Sequence, residues 1–308
     1  TVDDTSLDMH IQAVLNHPLV DPESIRSSGF KVVVDGVNSI GGIAIPALLK
    51  ELNIEVIELF CEPSGQFPHN PEPLKEHLGD LSALVIESGA DLGLVVDPDV
   101  DRLAFMDENG AMFGEEYTLV ACADYVLSKT PGNTVSNMSS TRALRDVTEK
   151  HGGTYYSSAV GEVNVVTKMK AVNAVIGGEG NGGIIDPQLH YGRDSLIGTA
   201  LFLSLLSVRK LSVSELKKTY PEYFMSKGKI ELEPTMDVDA LLLAIEKKYA
   251  NNKPNTVDGV KIDFEASWVH LRKSNTEPII RVYTEAPSQE AADLLMNRFK
   301  EELLALGN

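Results

Sequence analysis

Short apolar runs bounded by polar turns recur along the chain, and their spacing separates strands from helices. Residues 7–16 carry apolar positions at helical spacing, and Lys31-Val32-Val33-Val34-Asp35 is a β-branched run of the kind buried on both faces of a sheet. Helical pattern follows over 44–52, then a strand over 54–60. Past a proline-rich loop from Pro63 to Pro73 come a helix over 74–88 and a third strand, Leu92-Gly93-Leu94-Val95-Val96. Strands alternating with helices in this way predict a parallel sheet covered by helices. Leu103-Ala104-Phe105-Met106 is expected to pair with Ala111-Met112-Phe113 around a turn at Asn109-Gly110.

The alternation then repeats. Helices are predicted over 116–128, 141–151 and 163–169, and strands over 134–138, 154–157 and 174–177. A long apolar helix, 195–207, closes this second unit, and Ser212-Val213-Ser214-Glu215 has the form of a capping box. The tail differs: strands at 229–233, 259–264, 267–271 and 279–284 are mostly neighbours, with helices at 238–249 and 288–306. The fold class is therefore α/β, in two successive units with mainly parallel mixed sheets (1–112 and 113–222), followed by a C-terminal α+β domain (223–308).

Charge narrows the partners. With 45 acidic and 27 basic residues the net charge is −18, which repels a phosphate backbone and argues against nucleic acid. No apolar stretch reaches the roughly 20 residues that span a bilayer. The acidic start, Thr1-Val2-Asp3-Asp4, is the reverse of a secretory signal. Cys61 and Cys122 are too far apart in sequence to form a ligand pair and read as reduced thiols of a cytoplasmic protein.

Three loops carry chemistry. In Asp97-Pro98-Asp99-Val100-Asp101-Arg102, three carboxylates alternate directly after a buried strand, where open α/β sheets place their ligands. Their natural counter-ion is a hard divalent cation, and Arg102 beside them is a phosphate donor. An EF-hand would match Asp97, Asp99, Asp101 and Glu108, but its obligatory sixth-position glycine is Arg102 here. A phosphatase with Asp97 as nucleophile is a further reading, although it leaves the third Asp and the other loops without a role.

The second loop, Gly177-Gly178-Glu179-Gly180-Asn181-Gly182-Gly183, lets the backbone approach a ligand, while Glu179 and Asn181 suit adjacent sugar hydroxyls. His190 and Arg193 close behind it are possible accessory groups. The third, Arg272-Lys273-Ser274-Asn275-Thr276-Glu277-Pro278 with Arg281 beyond, concentrates cations, hydroxyls and backbone amides into an oxyanion site.

In this order the loops resemble the α-D-phosphohexomutase family of phosphoglucomutase, phosphomannomutase and phosphoglucosamine mutase. Asp97-x-Asp99-x-Asp101-Arg102 is similar to its magnesium loop, Gly178-Glu179-Gly180-Asn181-Gly182 to its sugar loop, and Arg272-x-Ser274-Asn275-Thr276-Glu277-Pro278-x-x-Arg281 to its phosphate loop. Phe67-Pro68-His69-Asn70-Pro71 and Val160-Gly161-Glu162 extend the likeness over nearly the whole chain. Asn181, Gly183, Lys273 and Asn275 depart from the usual Ser, His, Pro and Gly, which bears on sugar preference.

The resemblance implies interconversion of hexose 1-phosphate and hexose 6-phosphate through a phosphoserine and a bound hexose 1,6-bisphosphate. It implies magnesium on Asp97, Asp99 and Asp101, and Arg102 against the transferring phosphoryl group. Sugar hydroxyls would lie on Glu179 and Asn181, and the non-reacting phosphate on Arg272, Ser274, Asn275, Thr276 and Arg281. The family's serine-bearing Ser-His-Asn-Pro loop does not occur in these residues, so a preceding domain of about 100–150 residues is expected to carry it. Without it the chain is expected to be inactive alone. A stand-alone sugar-phosphate binding protein is the non-enzymatic alternative.

Overall fold

The computed structural model describes residues 5–231, 237–274 and 279–307. Two compact units result: one runs to Pro221, and the other joins Glu222–Asn308 with the short segments Asn137–Arg142 and Ser157–Val160.

The first unit begins with α1 (Ser6–Leu15) and α2 (Pro22–Ser28), which the apolar pattern shows only in its first part. Asp21 caps α2 by accepting from the Ser24 amide, and Pro22 fits the first helical turn, where an amide has no partner to lose. There follow β1 (Lys31–Asp35), α3 (Gly41–Glu51), β2 (Glu55–Leu59), α4 (Gly79–Ser88), β3 (Leu92–Val96) and β4 (Leu103–Asp107). Their sheet has the order β2-β1-β3-β4, parallel except for β4, which returns antiparallel beside β3. β3 is buried at every position, as expected of a strand sandwiched between helix layers.

The helix expected over 74–88 divides into a 3₁₀ turn at Lys75–His77 and α4, because the chain leaves helical geometry at Leu78 before restarting at Gly79. The expected 111–113 strand shrinks to a bridge between Met106 and Met112, beside a Phe113 amide donated to the Phe105 carbonyl.

The second sheet follows α5 (Glu115–Lys129) and contains β5 (Asn133–Asn137), β6 (Tyr155–Ser158), β7 (Ala174–Glu179) and β8 (Gly183–Ile185), in the order β6-β5-β7-β8. α6 (Ala143–Lys150) and α7 (Glu162–Val172) connect these strands, and α8 (Ser195–Arg209) and α9 (Val213–Lys217) complete the unit. β7 is parallel to β5 and antiparallel to β8, so the glycine-rich segment is a tight hairpin. α8 is buried from Ser195 through Leu206, as its all-round apolar sequence requires. Phe202 of α8 stacks on Phe105 of β4 with centroids 3.7 Å apart. Cys122, on α5, and Cys61 are free thiols; burial pushes Cys61 up to about 11, so neither behaves as a reactive thiolate.

The second unit contains β9 (Phe224–Glu231), α10 (Val238–Lys248), β10 (Val260–Asp263), β11 (Trp268–Lys273), β12 (Ile279–Ala286) and α11 (Gln289–Gly307). Its sheet, ordered β10-β11-β12-β9, is antiparallel throughout. β9 starts five residues before the expected 229, while 232–233 lie outside the described residues. One sheet face, including Ile230, Val269, Leu271, Ile280 and Val282, packs with α10 and α11 residues such as Ile245 and Phe299. This is the expected α+β arrangement.

His270 lies on the other face, fully buried. Its Nε2 meets the Asp258 carbonyl at 2.6 Å and its Nδ1 the Ser139 hydroxyl at 2.9 Å, partners that suit a neutral ring. Burial holds its pKa down at about 4, below the ordinary 6.5. The unfolded chain therefore binds the extra proton first as pH falls, and stability drops between pH 6.5 and 4. By pH 5 the expected loss is about 2 kcal/mol relative to neutral pH. Urea titrations of wild type and His270→Gln at pH 7 and pH 5 measure it: the variant should show a pH-dependent loss smaller by that amount.

Candidate functional site

β3 delivers Asp97 to the carboxyl end of the first sheet, where its side chain organises the loop that follows. Its Oδ1 accepts the amides of Asp101 and Arg102, both at 3.0 Å, and its carbonyl accepts the Val100 amide. Val100 has φ +62°, a conformation a β-branched residue adopts only where its surroundings impose it. Here its carbonyl is held by the Ser195 amide at the start of α8, and the Pro98 carbonyl by the Ser39 hydroxyl at 2.7 Å.

The result is that Asp97, Asp99 and Asp101 each place a carboxylate oxygen within 4.8 Å of the others. Asp97 is buried and Asp99 is exposed. Burial, and after it the charges of Asp101 and Asp99, push Asp97 up to about 7 against the opposing backbone bonds. The buried Oδ1 of Asp101 has no hydrogen-bond partner among the described residues. Crowded carboxylates with an orphaned oxygen fit a hard, oxygen-seeking dication such as magnesium. Arg102 lies alongside, its Nε 3.4 Å from Asp97 and its Nη1 3.3 Å from Glu72.

The glycine-rich hairpin is joined to the Asp97–Arg102 loop by main chain. Leu103 donates its amide to the Gly182 carbonyl at 3.1 Å. Gly182 is at φ +90°, and a Cβ there would come within 2.2 Å of the Leu103 oxygen, so glycine is what permits this approach. Asn181 turns its Oδ1 to the Gly183 amide at 3.3 Å.

Arg193 forms the centre of the cluster. Its guanidinium pairs with Asp101, with Glu179 at 2.9 Å and with Glu162 at 3.1 Å, bringing together four residues from separate parts of the chain. Glu179 also accepts the Gly161 amide at 3.2 Å, so this buried residue bridges Arg193 and the start of α7. Of His190 and Arg193, the arginine joins the Asp97–Arg102 loop to the glycine-rich hairpin, whereas His190 turns to Asp194 at 2.9 Å. Glu162, Glu72 and Ser39 are neighbours of these loops that the loop motifs did not single out. Glu162 stood within the Val160-Gly161-Glu162 segment, and that was its one signal.

Arg272, Ser274 and Arg281 belong to the second unit, while Asn275 and Thr276 lie outside the described residues. Register places Arg281 of β12 opposite Arg272 of β11 on one side and Lys229 of β9 on the other. Directly opposed side chains share a sheet face, so three cations stand in one row. Arg272 is paired with Asp258 at 2.9 Å and Lys229 with Glu231 at 3.0 Å. Among the described residues Arg281 has no acidic partner. In sequence Lys229 reads only as the start of a strand, because strand register alone places it in the row.

Three family descriptions match consecutive parts of the chain: phosphoglucomutase/phosphomannomutase alpha/beta/alpha domain II over 8–110, alpha/beta/alpha domain III over 106–223, and the C-terminal domain over 231–302. The chain belongs to the phosphoglucomutase/phosphomannomutase family. It is 36% identical over 285 residues to a phosphoglucomutase/phosphomannomutase of Thermococcus kodakarensis, covering 92% of this chain and 62% of that one. A probable phosphoglucosamine mutase of Methanopyrus kandleri is 33% identical over 300 residues, covering 96% of this chain and 65% of the relative. The chain thus spans slightly less than two thirds of these relatives. The crystal structure of a phosphoglucomutase/phosphomannomutase family protein from Burkholderia thailandensis superposes with a TM-score of 0.83 at 26% identity, covering 97% of this chain and 64% of that one.

Proposed function

We propose that this chain supplies the metal, sugar and phosphate sites of a phosphohexomutase that interconverts hexose 1-phosphate and hexose 6-phosphate by way of a hexose 1,6-bisphosphate. The observation that supports this most is the Arg193 cluster, which ties a carboxylate of the metal loop to a carboxylate of the sugar loop.

Asp97, Asp99 and Asp101 would hold magnesium, which when bound neutralises charge on a phosphoryl oxygen. Arg102 lies beside those carboxylates and can donate to the transferring phosphoryl group in the same place. Phosphoryl transfer depends mainly on positioning and charge stabilisation, and these residues provide both. Asn181 and Glu179 lie on the adjoining hairpin and would meet sugar hydroxyls there, Glu179 by exchanging contacts it now makes with Arg193 and the Gly161 amide. The Lys229–Arg281–Arg272 row, with Ser274, Asn275 and Thr276, would grip the phosphate that is not being transferred. The serine that gives and takes back the phosphoryl group is supplied from outside these residues.

The experiment is a conversion assay with the 1-phosphates of glucose, mannose and glucosamine, with magnesium and a priming hexose 1,6-bisphosphate. The protein carrying an upstream serine domain should form 6-phosphates, and the 308-residue chain alone should not. Release of inorganic phosphate by the chain alone would favour the aspartyl phosphatase instead. Tight binding of sugar phosphates without conversion in either form would favour a binding protein. In the active form, Arg281→Ala should raise KM for the sugar phosphate about tenfold, the value of one exposed charge-assisted contact, and leave the melting temperature in place. An unchanged KM would remove Arg281 from the phosphate site.

A further inference from the structure

A second constellation of ligating side chains lies in the first unit, apart from the Asp97 triad. Asp194 caps α8, its Oδ1 accepting the amides of Leu196 at 2.8 Å and Ile197 at 3.3 Å. That arrangement fixes the carboxylate and leaves Oδ2 pointing away from the helix. Two imidazoles converge on this oxygen: Nε2 of His10, from α1, at 2.8 Å, and Nε2 of His190 at 2.9 Å. The rings are tilted by 48° with centroids 5.8 Å apart, so they meet through their nitrogens rather than by stacking.

We propose that His10, His190 and Asp194 form a binding site for a transition-metal dication of the zinc class. Two imidazole nitrogens and one carboxylate oxygen make a donor set suited to zinc or cobalt and poorly suited to magnesium, which prefers oxygen alone. The three donor atoms already lie within 4.8 Å of one another. Bonds of about 2.0–2.1 Å in a tetrahedron require donor separations of roughly 3.4 Å, so the nitrogens need to draw back from the carboxylate by about half an ångström. His10 and His190 are 33% and 44% exposed, which gives an ion an entry path and leaves room for water at a fourth position, while Asp194 is 5% exposed.

The backbone amides that fix Asp194 do for this carboxylate what outer partners do in established metal centres. Asp194 adjoins Arg193, whose guanidinium binds Asp101, Glu162 and Glu179. Zinc here would tie α1 to that segment by coordination in place of two hydrogen bonds.

The test is calorimetric titration of the chain with zinc chloride in millimolar excess of magnesium, repeated with cobalt chloride and read by visible absorption. The expected result is one zinc per chain, with a cobalt spectrum showing tetrahedral nitrogen and oxygen ligands. His10→Ala and His190→Ala should each weaken zinc binding by at least about 30-fold and abolish that spectrum. Asp99→Asn should leave both unaltered. Melting curves without added metal check folding; His190 is on an exposed loop, so its variant carries the test if His10→Ala loosens α1. Absence of zinc binding to the wild type would overturn the proposal and leave a hydrogen-bonded clamp. So would zinc binding that survives both His substitutions or is lost in Asp99→Asn.

Discussion

Replacing Arg193 by methionine should lower the stability of the chain by about 4 kcal/mol at pH 7 in low-metal buffer, the loss typical of a buried ion cluster deprived of one partner. Methionine keeps much of the aliphatic volume, so lost packing contributes little to the change. What remains is a set of carboxylates, Asp101, Glu162 and Glu179, that share this cation and lie near Asp97 and Asp99. Their mutual repulsion in a partly buried setting then loses this shared counter-charge, although Arg102 Nε still lies 3.8 Å from Asp101. One further result follows if this is the cause. Magnesium at saturating concentration should recover part of the loss through Asp101. Urea titrations with and without magnesium measure both. A loss that magnesium leaves unchanged would mean that Arg193 acts through packing.

The second large effect concerns the metal itself. Asp99→Asn should weaken magnesium binding by about 100-fold in calorimetric titration, since affinity at oxygen sites follows the charge of the ligand set. Asp99 is exposed, so the metal-free melting point should move by less than about 0.5 kcal/mol equivalent. That separates ligation from folding, which Asp97 cannot do because its carboxylate also closes the loop. Wild-type binding should depend on pH with a defined sign. A proton and the metal compete for Asp97, whose pKa is pushed up to about 7, so apparent affinity should fall toward tenfold per pH unit below that value. Unchanged affinity in Asp99→Asn would rule out the triad as the magnesium site.

Much of this architecture is legible in the chain because strands such as β1 and β3 are buried almost throughout. Val32-Val33-Val34 and Leu92–Val96 read as strands from composition alone, and α8 reads as an interior helix for the same reason. The metal loop is legible because its three acids are close in sequence. β8 is not, since three residues after a run of glycines carry no periodicity to detect. Arg193 illustrates a different limit: its partners Asp101 and Glu162 are 92 and 31 residues away, and no local pattern records such a meeting. The Lys229 row and the His10–Asp194 contact, separated by 184 residues, are invisible for the same reason.

Two main-chain bonds have a further effect. The Leu103 amide reaches the Gly182 carbonyl, and the Ser195 amide reaches Val100 inside the metal loop. These links run through main-chain atoms and require only that Gly182 stay glycine, so the two loops share one opening equilibrium. A ligand that steadies one must then steady the other by the same free energy, whichever arrives first. Exchange of the Leu103 and Ser195 amide protons with deuterium reports that shared equilibrium, and either magnesium or a phosphosugar should slow both together.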